Sequence, residues 1–187
     1  AAALVAEVMW NAGQVCVAKS RLLVQKKLLD SLKPHLVTAI SAYRPEDPLL
    51  PDTMFGPLGS AAQFDRVNAL VADAVSNGAE SVTAADVSVP KNGNFVLPTL
   101  LFDVTADTRA VREEIFGPVM TVQSFETVEE AIAMSNDTDT GLAATVWTTD
   151  LRIAHQMGRD IRAGDVSIRG SLAEVEGSGF AGIREPM

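Results

Sequence analysis

The chain has 187 residues and a mass of 19.8 kDa, which corresponds to about one domain with a substantial core. Hydrophobic residues make up 47% and charged residues 21%, a composition typical of globular proteins rather than disordered ones. The net charge of −9 argues against nucleic-acid and anionic-membrane partners, because both require basic surfaces.

The cysteine and histidine counts limit the chemistry that the chain can support. A single cysteine, Cys16, excludes an internal disulfide and a cysteine-only metal site, and two histidines are too few for a histidine-rich metal centre. No signal peptide and no apolar run of about 20 residues is visible, so we expect a cytoplasmic protein without a membrane partner. The sequence starts without Met and enters helix-like sequence at once, which suggests part of a longer protein.

The first half of the chain alternates between helical and extended apolar patterns. Pro34 should kink the second predicted helix or mark its first turn, and Gly78 is well placed to end the third. Four prolines in residues 45–57 predict a loop. The predicted helices cover residues 1–10, 27–42 and 60–76, and the predicted strands cover residues 21–25, 81–83 and 95–102.

The second half repeats this alternation. Thr127 and Glu130 form the pattern of a capping box before a helix that ends near residue 135, and Asp150 is a typical N-cap for the next helix. The predicted strands cover residues 119–125, 143–148 and 165–168. Strands that alternate with helices predict an α/β fold with a largely parallel sheet flanked by helices, and we assign residues 1–187 to one domain.

Three segments could carry chemistry. In residues 11–21 a helix ends at a glycine turn and Cys16 follows, so the thiol could attack an electrophilic carbon with its own backbone N–H near the oxyanion. The alternative is an inert buried thiol between two valines.

In residues 112–119, paired acids and Phe116 precede a Gly-Pro turn. A carboxylate there could hold sugar hydroxyls, or the segment is a solvated turn with Phe116 in the core. Residues 180–185 combine Phe180 with small residues and could line a pocket.

Taken together, these segments resemble the aldehyde dehydrogenase superfamily over essentially the whole chain. Residues 11–21 fit the family's active-site signature N-x-G-Q-x-C-x-A-x-x-R at every fixed position, and residues 113–119 match its E-E-I-F-G-P-V signature intact. The family's F-G-G-x-K-x-S-G motif looks like residues 180–187. Smaller family features recur in order at Gly56-Pro57, Gln63, Gly93, Asn136-Asp137, Gly141-Leu142 and Ala163-Gly164.

The resemblance implies an NAD- or NADP-dependent oxidation of a small-molecule aldehyde to a carboxylic acid, without a metal. Cys16 would be the nucleophile that forms a thiohemiacetal and then a thioester. Glu114 would bind the hydroxyls of the nicotinamide ribose, and Phe116 would pack near that half of the cofactor. Gln63 and Arg66 match positions near the adenosine-side ribose, with a purely scaffolding role as the alternative. Phe180 would line the substrate tunnel.

Several features depart from the family pattern. The Rossmann-type half, the general-base glutamate of an E-L-G-G-K type motif, the side-chain asparagine of the oxyanion hole and the final oligomerisation strand do not occur in these 187 residues. Arg169 replaces the usual Asn, and Thr140 replaces Tyr. Ala181 and Pro186-Met187 also differ from the pattern. If Arg169 faces the pocket, an acidic aldehyde is conceivable; an ion pair with Glu174 or Glu176 is the alternative.

The resemblance therefore predicts the catalytic domain of an aldehyde dehydrogenase that is inactive by itself and belongs to a homodimer or homotetramer. Two other classes stay open: a cofactor-free thiol esterase or acyltransferase that works through Cys16, and a non-catalytic relative or interaction module that keeps only the fold. A CoA-acylating form of the reaction also stays open, because these residues do not identify the acyl acceptor.

Overall fold

The computed structural model describes residues 1–85 and 87–170, and within them helices and strands alternate along the chain. This arrangement confirms the predicted α/β class. The helices are α1 (Ala2–Met9), α2 (Lys26–Ile40), α3 (Ala61–Ser76), α4 (Arg109–Arg112), α5 (Val128–Asn136) and α6 (Leu151–Asp160). The strands are β1 (Arg21–Gln25), β2 (Glu80–Thr83), β3 (Thr99–Phe102), β4 (Val119–Phe125), β5 (Ala143–Trp147) and β6 (Asp165–Arg169).

The chain divides into two compact units, Ala1–Ser124 and Phe125–Met187. The first contains α1 to α4 and most of the first sheet, and the second contains α5, α6 and a separate pair of strands. The assignment of residues 1–187 to one catalytic domain stays a prediction.

The first unit is built on a four-stranded sheet in the order β1-β4-β3-β2. The central pair, β3 and β4, runs parallel with Leu100 opposite Met120, whereas β2 is an antiparallel edge strand with Ser81 opposite Leu101. All four residues of β3 and the first five of β4 are buried. Such continuous burial is typical of parallel strands covered on both faces, so these strands form the centre of the core.

Helices α1, α2 and α3 cover this sheet with the apolar stripes that their sequences predict. In α3, Val67 and Leu70 are fully buried, and Phe64 packs against the same core from a half-buried position. The predicted end of α3 is also confirmed, because Gly78 follows it with a φ of 95°. The other fully buried helical core residues of this unit are Val5, Val8, Met9, Leu36, Ile40 and Ala74.

Three details of the first unit differ from the sequence prediction. Helix α2 begins at Lys26 and continues through Pro34, so this proline does not mark a first turn. The strand expected over residues 95–102 begins only at Thr99, and residues 95–98 form no ladder. The short helix α4 was not predicted, because four residues are too few to show a helical period.

The second unit contains the parallel pair β5 and β6, in register from Ala143 opposite Asp165 to Trp147 opposite Arg169. Asn136, at the end of α5, joins the two helices: its Nδ2 donates to the Asp160 carbonyl and its Oδ1 accepts from the Arg162 N–H. One amide side chain thus fixes the end of α5 against the end of α6.

Side-chain caps start both helices of the second unit, as the sequence predicts. Thr127 Oγ1 accepts the Glu130 N–H, while the Glu130 carboxylate accepts from the Glu126 N–H, one residue before the cap itself. Asp150 Oδ1 accepts from the backbone N–H groups of Arg152 and Ile153. These bonds, with the Arg152 side chain, lower the pKa of the Asp150 carboxyl.

Neither a membrane-spanning helix nor a metal cluster is found in the part of the chain that the structure describes. No helix there is both long and apolar enough to cross a bilayer. No three His, Cys, Asp or Glu side chains there are grouped so that they could hold a metal ion.

Candidate functional site

The turn that carries Cys16 has an unusual backbone. Helix α1 ends at Met9, and a 3₁₀ turn over Trp10–Gly13 follows in which Asn11, Ala12 and Gly13 all have positive φ, at 50°, 53° and 74°. Asparagine and glycine tolerate this region, whereas alanine pays roughly 1–2 kcal/mol to enter it. The turn needs support from its surroundings, and its own side chains supply part of it: Asn11 Nδ2 donates to the Gln14 carbonyl, and Gln14 Nε2 to the Asn11 carbonyl.

Cys16 follows this turn as an exposed thiol. Neither its sulfur nor its backbone N–H makes a hydrogen bond with any residue in 1–85 or 87–170. The thiol is therefore not buried, contrary to the alternative interpretation, and its reactivity stays a prediction. An accessible sulfur with a free N–H on the same residue is the arrangement that thiol attack on a carbonyl carbon requires.

The turn that carries Cys16 packs directly on residues 112–119, which are called the acidic segment below, at two glycines. A Cβ built on Gly13 would lie 2.0 Å from the carbonyl oxygen of Gly117, and a Cβ built on Gly117 would lie 2.6 Å from Cγ2 of Val67. Both distances are far below van der Waals contact, so a side chain at either position requires the neighbours to move. The two signature segments are thus brought together by a backbone contact that only glycine permits.

A third segment joins the same cluster through Gln14. Its Oε1 accepts from the Gly59 N–H at 2.8 Å, just before Ser60 caps α3 by accepting from the Gln63 N–H. The Gln of the cysteine signature therefore anchors the turn to the start of α3. This contact places the cysteine turn beside the first turn of α3, which carries Gln63.

The first turns of α3 hold the acidic segment. Gln63 Nε2 donates to the carbonyls of Ile115 and Phe116 at 2.9 and 2.8 Å, and Arg66 Nη2 donates to the Glu114 carbonyl at 3.0 Å. The structure therefore brings together four of the predicted site residues, Gln63, Arg66, Glu114 and Phe116. Hydrogen bonds of this kind are typical of a scaffolding role for Gln63 and Arg66. Their direct contact with the cofactor stays a prediction.

The two adjacent acids differ in environment. Glu113 is half-buried and pairs with Arg109 at 2.6 Å and with Arg66 at 3.2 Å. The hydrogen bond from Arg109, with the charges of Arg109 and Arg66, holds the pKa of the Glu113 carboxyl below its usual range. Glu114 is exposed, and its carboxylate makes no hydrogen bond or ion pair within the described residues.

Phe116, two residues after Glu114, has a strained backbone conformation. Its φ is 52°, which is unfavourable for an aromatic residue, and the side chain is 37% exposed. The residue that enters the core from this segment is Ile115, which is 1% exposed. The alternative that Phe116 is a core residue therefore does not hold, and its side chain is accessible on the segment that carries Glu114.

The remaining sequence-predicted residues lie outside the described residues or in the second unit. Phe180, Ala181, Pro186 and Met187 lie outside the described residues, as do Glu174 and Glu176. In the second unit, Arg169 places its guanidinium 5.6 Å from the centre of the Trp147 ring, and the Thr140 hydroxyl hydrogen-bonds with Thr138.

Sequence reasoning missed two residues. Glu113 holds the guanidinium groups that fix the segment, and Trp10, assigned only to the end of a helix, is 70% exposed. Two signals in the sequence could have identified them: Glu113 stands directly before Glu114, and Trp10 is an aromatic residue six positions before Cys16.

Comparison with known proteins finds the same family as the sequence motifs. The model of the aldehyde dehydrogenase family matches residues 1–186. A betaine aldehyde dehydrogenase from Cereibacter sphaeroides is 42% identical over 176 residues, covering 94% of this chain and 36% of the relative. The human 4-trimethylaminobutyraldehyde dehydrogenase is 39% identical over 157 residues, covering 81% and 32%.

Solved structures show the same similarity. An indole-3-acetaldehyde dehydrogenase in complex with NAD⁺ is 36% identical with a TM-score of 0.90, covering 98% of this chain and 37% of that one. An aldehyde dehydrogenase from Pseudomonas aeruginosa also reaches a TM-score of 0.90 at 35% identity. The chain spans only 36% of the length of the first of these curated relatives.

The contact between the two glycines predicts a large difference between two alanine variants. Gly13→Ala should lower the free energy of unfolding by more than about 3 kcal/mol, since its Cβ meets backbone at 2.0 Å in addition to the strain of a positive φ. Gly78→Ala is the matched control, because Gly78 also has a positive φ but nothing lies within 4 Å of its Cβ, and it should cost about 1 kcal/mol. Urea unfolding of the two variants checks this; equal losses would contradict the proposed backbone contact.

Proposed function

The chain belongs to the aldehyde dehydrogenase family, and we propose that it supplies the nucleophile and the nicotinamide-side cofactor contacts for NAD(P)-dependent oxidation of an aldehyde to a carboxylic acid. The observation that carries this proposal is the exposed Cys16 thiol, with its free backbone N–H, on a turn held against the segment of Glu114. The chain covers 36% of the first of these curated relatives, so the activity is proposed for the whole protein.

The proposed reaction begins with attack of the Cys16 thiolate on the aldehyde carbon. A carbon–sulfur bond forms, the carbonyl π electrons move to the oxygen, and the resulting alkoxide of the thiohemiacetal accepts a hydrogen bond from the backbone N–H of Cys16. Loss of a hydride from that carbon leaves a thioester on the sulfur. Water then adds to the thioester carbon, the carbon–sulfur bond breaks, and the carboxylic acid leaves with the Cys16 sulfur restored.

Bound NAD(P)⁺ would accept the hydride, and two side chains of this chain fit its nicotinamide half. The Glu114 carboxylate offers two acceptor oxygens that no described residue uses, and a ribose offers two adjacent hydroxyl donors. The Phe116 ring lies exposed two residues further along the same segment and can pack against a flat ring. This donor and acceptor set supports the assignment of Glu114 and Phe116 to cofactor binding.

Exchange of the thiol tests the mechanism. In the complete enzyme, Cys16→Ser should lower kcat for aldehyde oxidation by roughly 10³-fold or more, because the hydroxyl is a far weaker nucleophile. Val17→Ala changes a neighbouring side chain of the same turn and should stay near the parent rate. Stopped-flow and steady-state assays of NAD(P)H production measure the rates of both variants.

Other outcomes of this experiment separate the rival functions. Hydrolysis of an ester without nucleotide, abolished by Cys16→Ser and unaccompanied by aldehyde oxidation, would identify a thiol esterase. No measurable effect of Cys16→Ser would identify a non-catalytic relative. Formation of an acyl-CoA instead of the free acid would identify CoA as the acyl acceptor.

The 187-residue chain by itself is expected to be inactive. The resemblance implies a dinucleotide-binding half and a general-base glutamate that do not occur in its sequence. Without a base to activate water, a thioester on Cys16 would persist. Purified residues 1–187, mixed with aldehyde and NAD(P)⁺, should therefore produce no NAD(P)H above the Cys16→Ser background, and steady turnover would contradict this expectation.

The substrate class is a finer proposal. Two relatives are named for betaine aldehyde and 4-trimethylaminobutyraldehyde, and both compounds carry a trimethylammonium group. Trp10 is 70% exposed at the start of the turn that leads to Cys16. An exposed indole attracts quaternary ammonium ions through its π face, so we propose that Trp10 contacts such a group on the aldehyde.

An isosteric pair of aldehydes tests this role. Betaine aldehyde and 3,3-dimethylbutanal have the same shape and differ in the positive charge. In the complete enzyme, Trp10→Leu should lower kcat/KM for betaine aldehyde by about tenfold or more and leave that for 3,3-dimethylbutanal within about threefold. An equal loss for both aldehydes would show that Trp10 acts only through its bulk.

A further inference from the structure

We propose that Gln63 and Arg66 are positioning residues, which fix the backbone of residues 114–116 from one face of α3 and thereby aim the Glu114 carboxylate at the cofactor. This inference rests on the proposed function, because it assumes that Glu114 binds the nicotinamide ribose. It differs from the expectation that Gln63 and Arg66 contact the adenosine-side ribose themselves.

Gln63 controls the conformation of Phe116 through both neighbouring peptide groups. Its Nε2 donates to the Ile115 carbonyl at 2.9 Å and to the Phe116 carbonyl at 2.8 Å. These two carbonyls belong to the peptide planes on either side of the Phe116 Cα, and the orientation of those planes is what φ and ψ describe. One amide group therefore holds both backbone dihedrals of Phe116.

The orientation of the Gln63 amide is determined by its neighbours. Both partners are carbonyl oxygens, so a flipped amide would bring its own oxygen against two acceptors. An amide NH₂ has two hydrogens, and each can serve one carbonyl. With both hydrogens committed, Gln63 has no donor left for a ribose, which argues against a direct donor role.

Arg66 holds the preceding residues from one helical turn further along. Its Nη2 donates to the Glu114 carbonyl at 3.0 Å and pairs with the Glu113 carboxylate at 3.2 Å. Arg109 pairs with the other oxygen of Glu113 at 2.6 Å. Together, Gln63 and Arg66 hold three consecutive carbonyls, those of residues 114, 115 and 116.

The segment requires this support because its backbone is strained. Phe116 has a φ of 52°, a conformation that L-residues with a side chain avoid. The next residue, Gly117, lies against Val67 of α3 and against Gly13. Without the donors of Gln63 and Arg66, Phe116 would be free to relax, and the exposed Glu114 would lose its fixed direction.

A double-mutant cycle tests whether Gln63 acts through Glu114. The variants are Gln63→Met, Glu114→Gln and their combination in the complete protein, and calorimetry measures the Kd of NAD(P)⁺ and of AMP. We expect each single variant to weaken NAD(P)⁺ binding about tenfold and the double variant to be no weaker than about twice either single variant. Because AMP carries only the adenosine half, its Kd should stay within about twofold.

The control is Asn68→Leu, which removes an amide of α3 whose hydrogen bond stays within the helix, at the Phe64 carbonyl. It should leave both Kd values unchanged. If Gln63→Met does not fold, Arg66→Met takes its place in the cycle, and Arg66→Lys should restore part of the binding because it keeps the charge beside Glu113.

Each outcome decides a different point. Multiplicative losses in the double variant, or weaker AMP binding in Gln63→Met, would overturn the positioning role and leave the assignment of Glu114 intact. No loss in Glu114→Gln alone would overturn that assignment and the inference that rests on it. Amide hydrogen exchange without cofactor gives an independent measure: Gln63→Met should accelerate exchange at residues 115–117, and unchanged exchange would also overturn the inference.

Discussion

The contact between the backbones of Gly13 and Gly117 is the constraint on which the candidate site depends. A Cβ on Gly13 would overlap the Gly117 carbonyl oxygen at 2.0 Å, so the approach exists only because Gly13 lacks a side chain, while Gly117 needs the same freedom against Val67. Cys16 lies three residues after one glycine, and Glu114 lies three residues before the other. One close contact thus relates the proposed nucleophile to the proposed ribose ligand, although the two are far apart in sequence.

Backbone strain is concentrated on either side of this contact. Among the described residues, positive φ values outside glycine occur at Asn11 and Ala12 beside Gly13, at Phe116 beside Gly117, and at Asp103 in the turn after β3. Each costs roughly 1–2 kcal/mol for a residue with a Cβ, less for Asn and Asp. Side-chain amides offset part of that cost at the site: those of Asn11 and Gln14 hold the cysteine turn, and that of Gln63 holds Phe116.

The sequence predicts well what depends on local patterns. The apolar stripe of α3, the caps at Thr127 and Asp150, and the buried strand β4 all follow from residue periodicity or from side chains within one helical turn. It does not predict what depends on partners far along the chain. The carbonyls that Gln63 holds lie more than fifty positions away, and the exposure of Trp10 depends on how the turn after α1 leaves the core.

The adjacent acids Glu113 and Glu114 show why signature residues need their tertiary surroundings to acquire a role. Glu113 has an extended backbone, so the two side chains project to opposite sides of the segment. One side meets the guanidinium groups of Arg109 and Arg66, which hold Glu113 charged and lower its pKa, while the other side leaves Glu114 exposed. A dinucleotide carries anionic phosphates, and two uncompensated carboxylates side by side would repel it. The paired guanidinium groups therefore compensate the charge of Glu113, and Glu114 remains as the single uncompensated carboxylate that can accept hydrogen bonds from neutral hydroxyl groups.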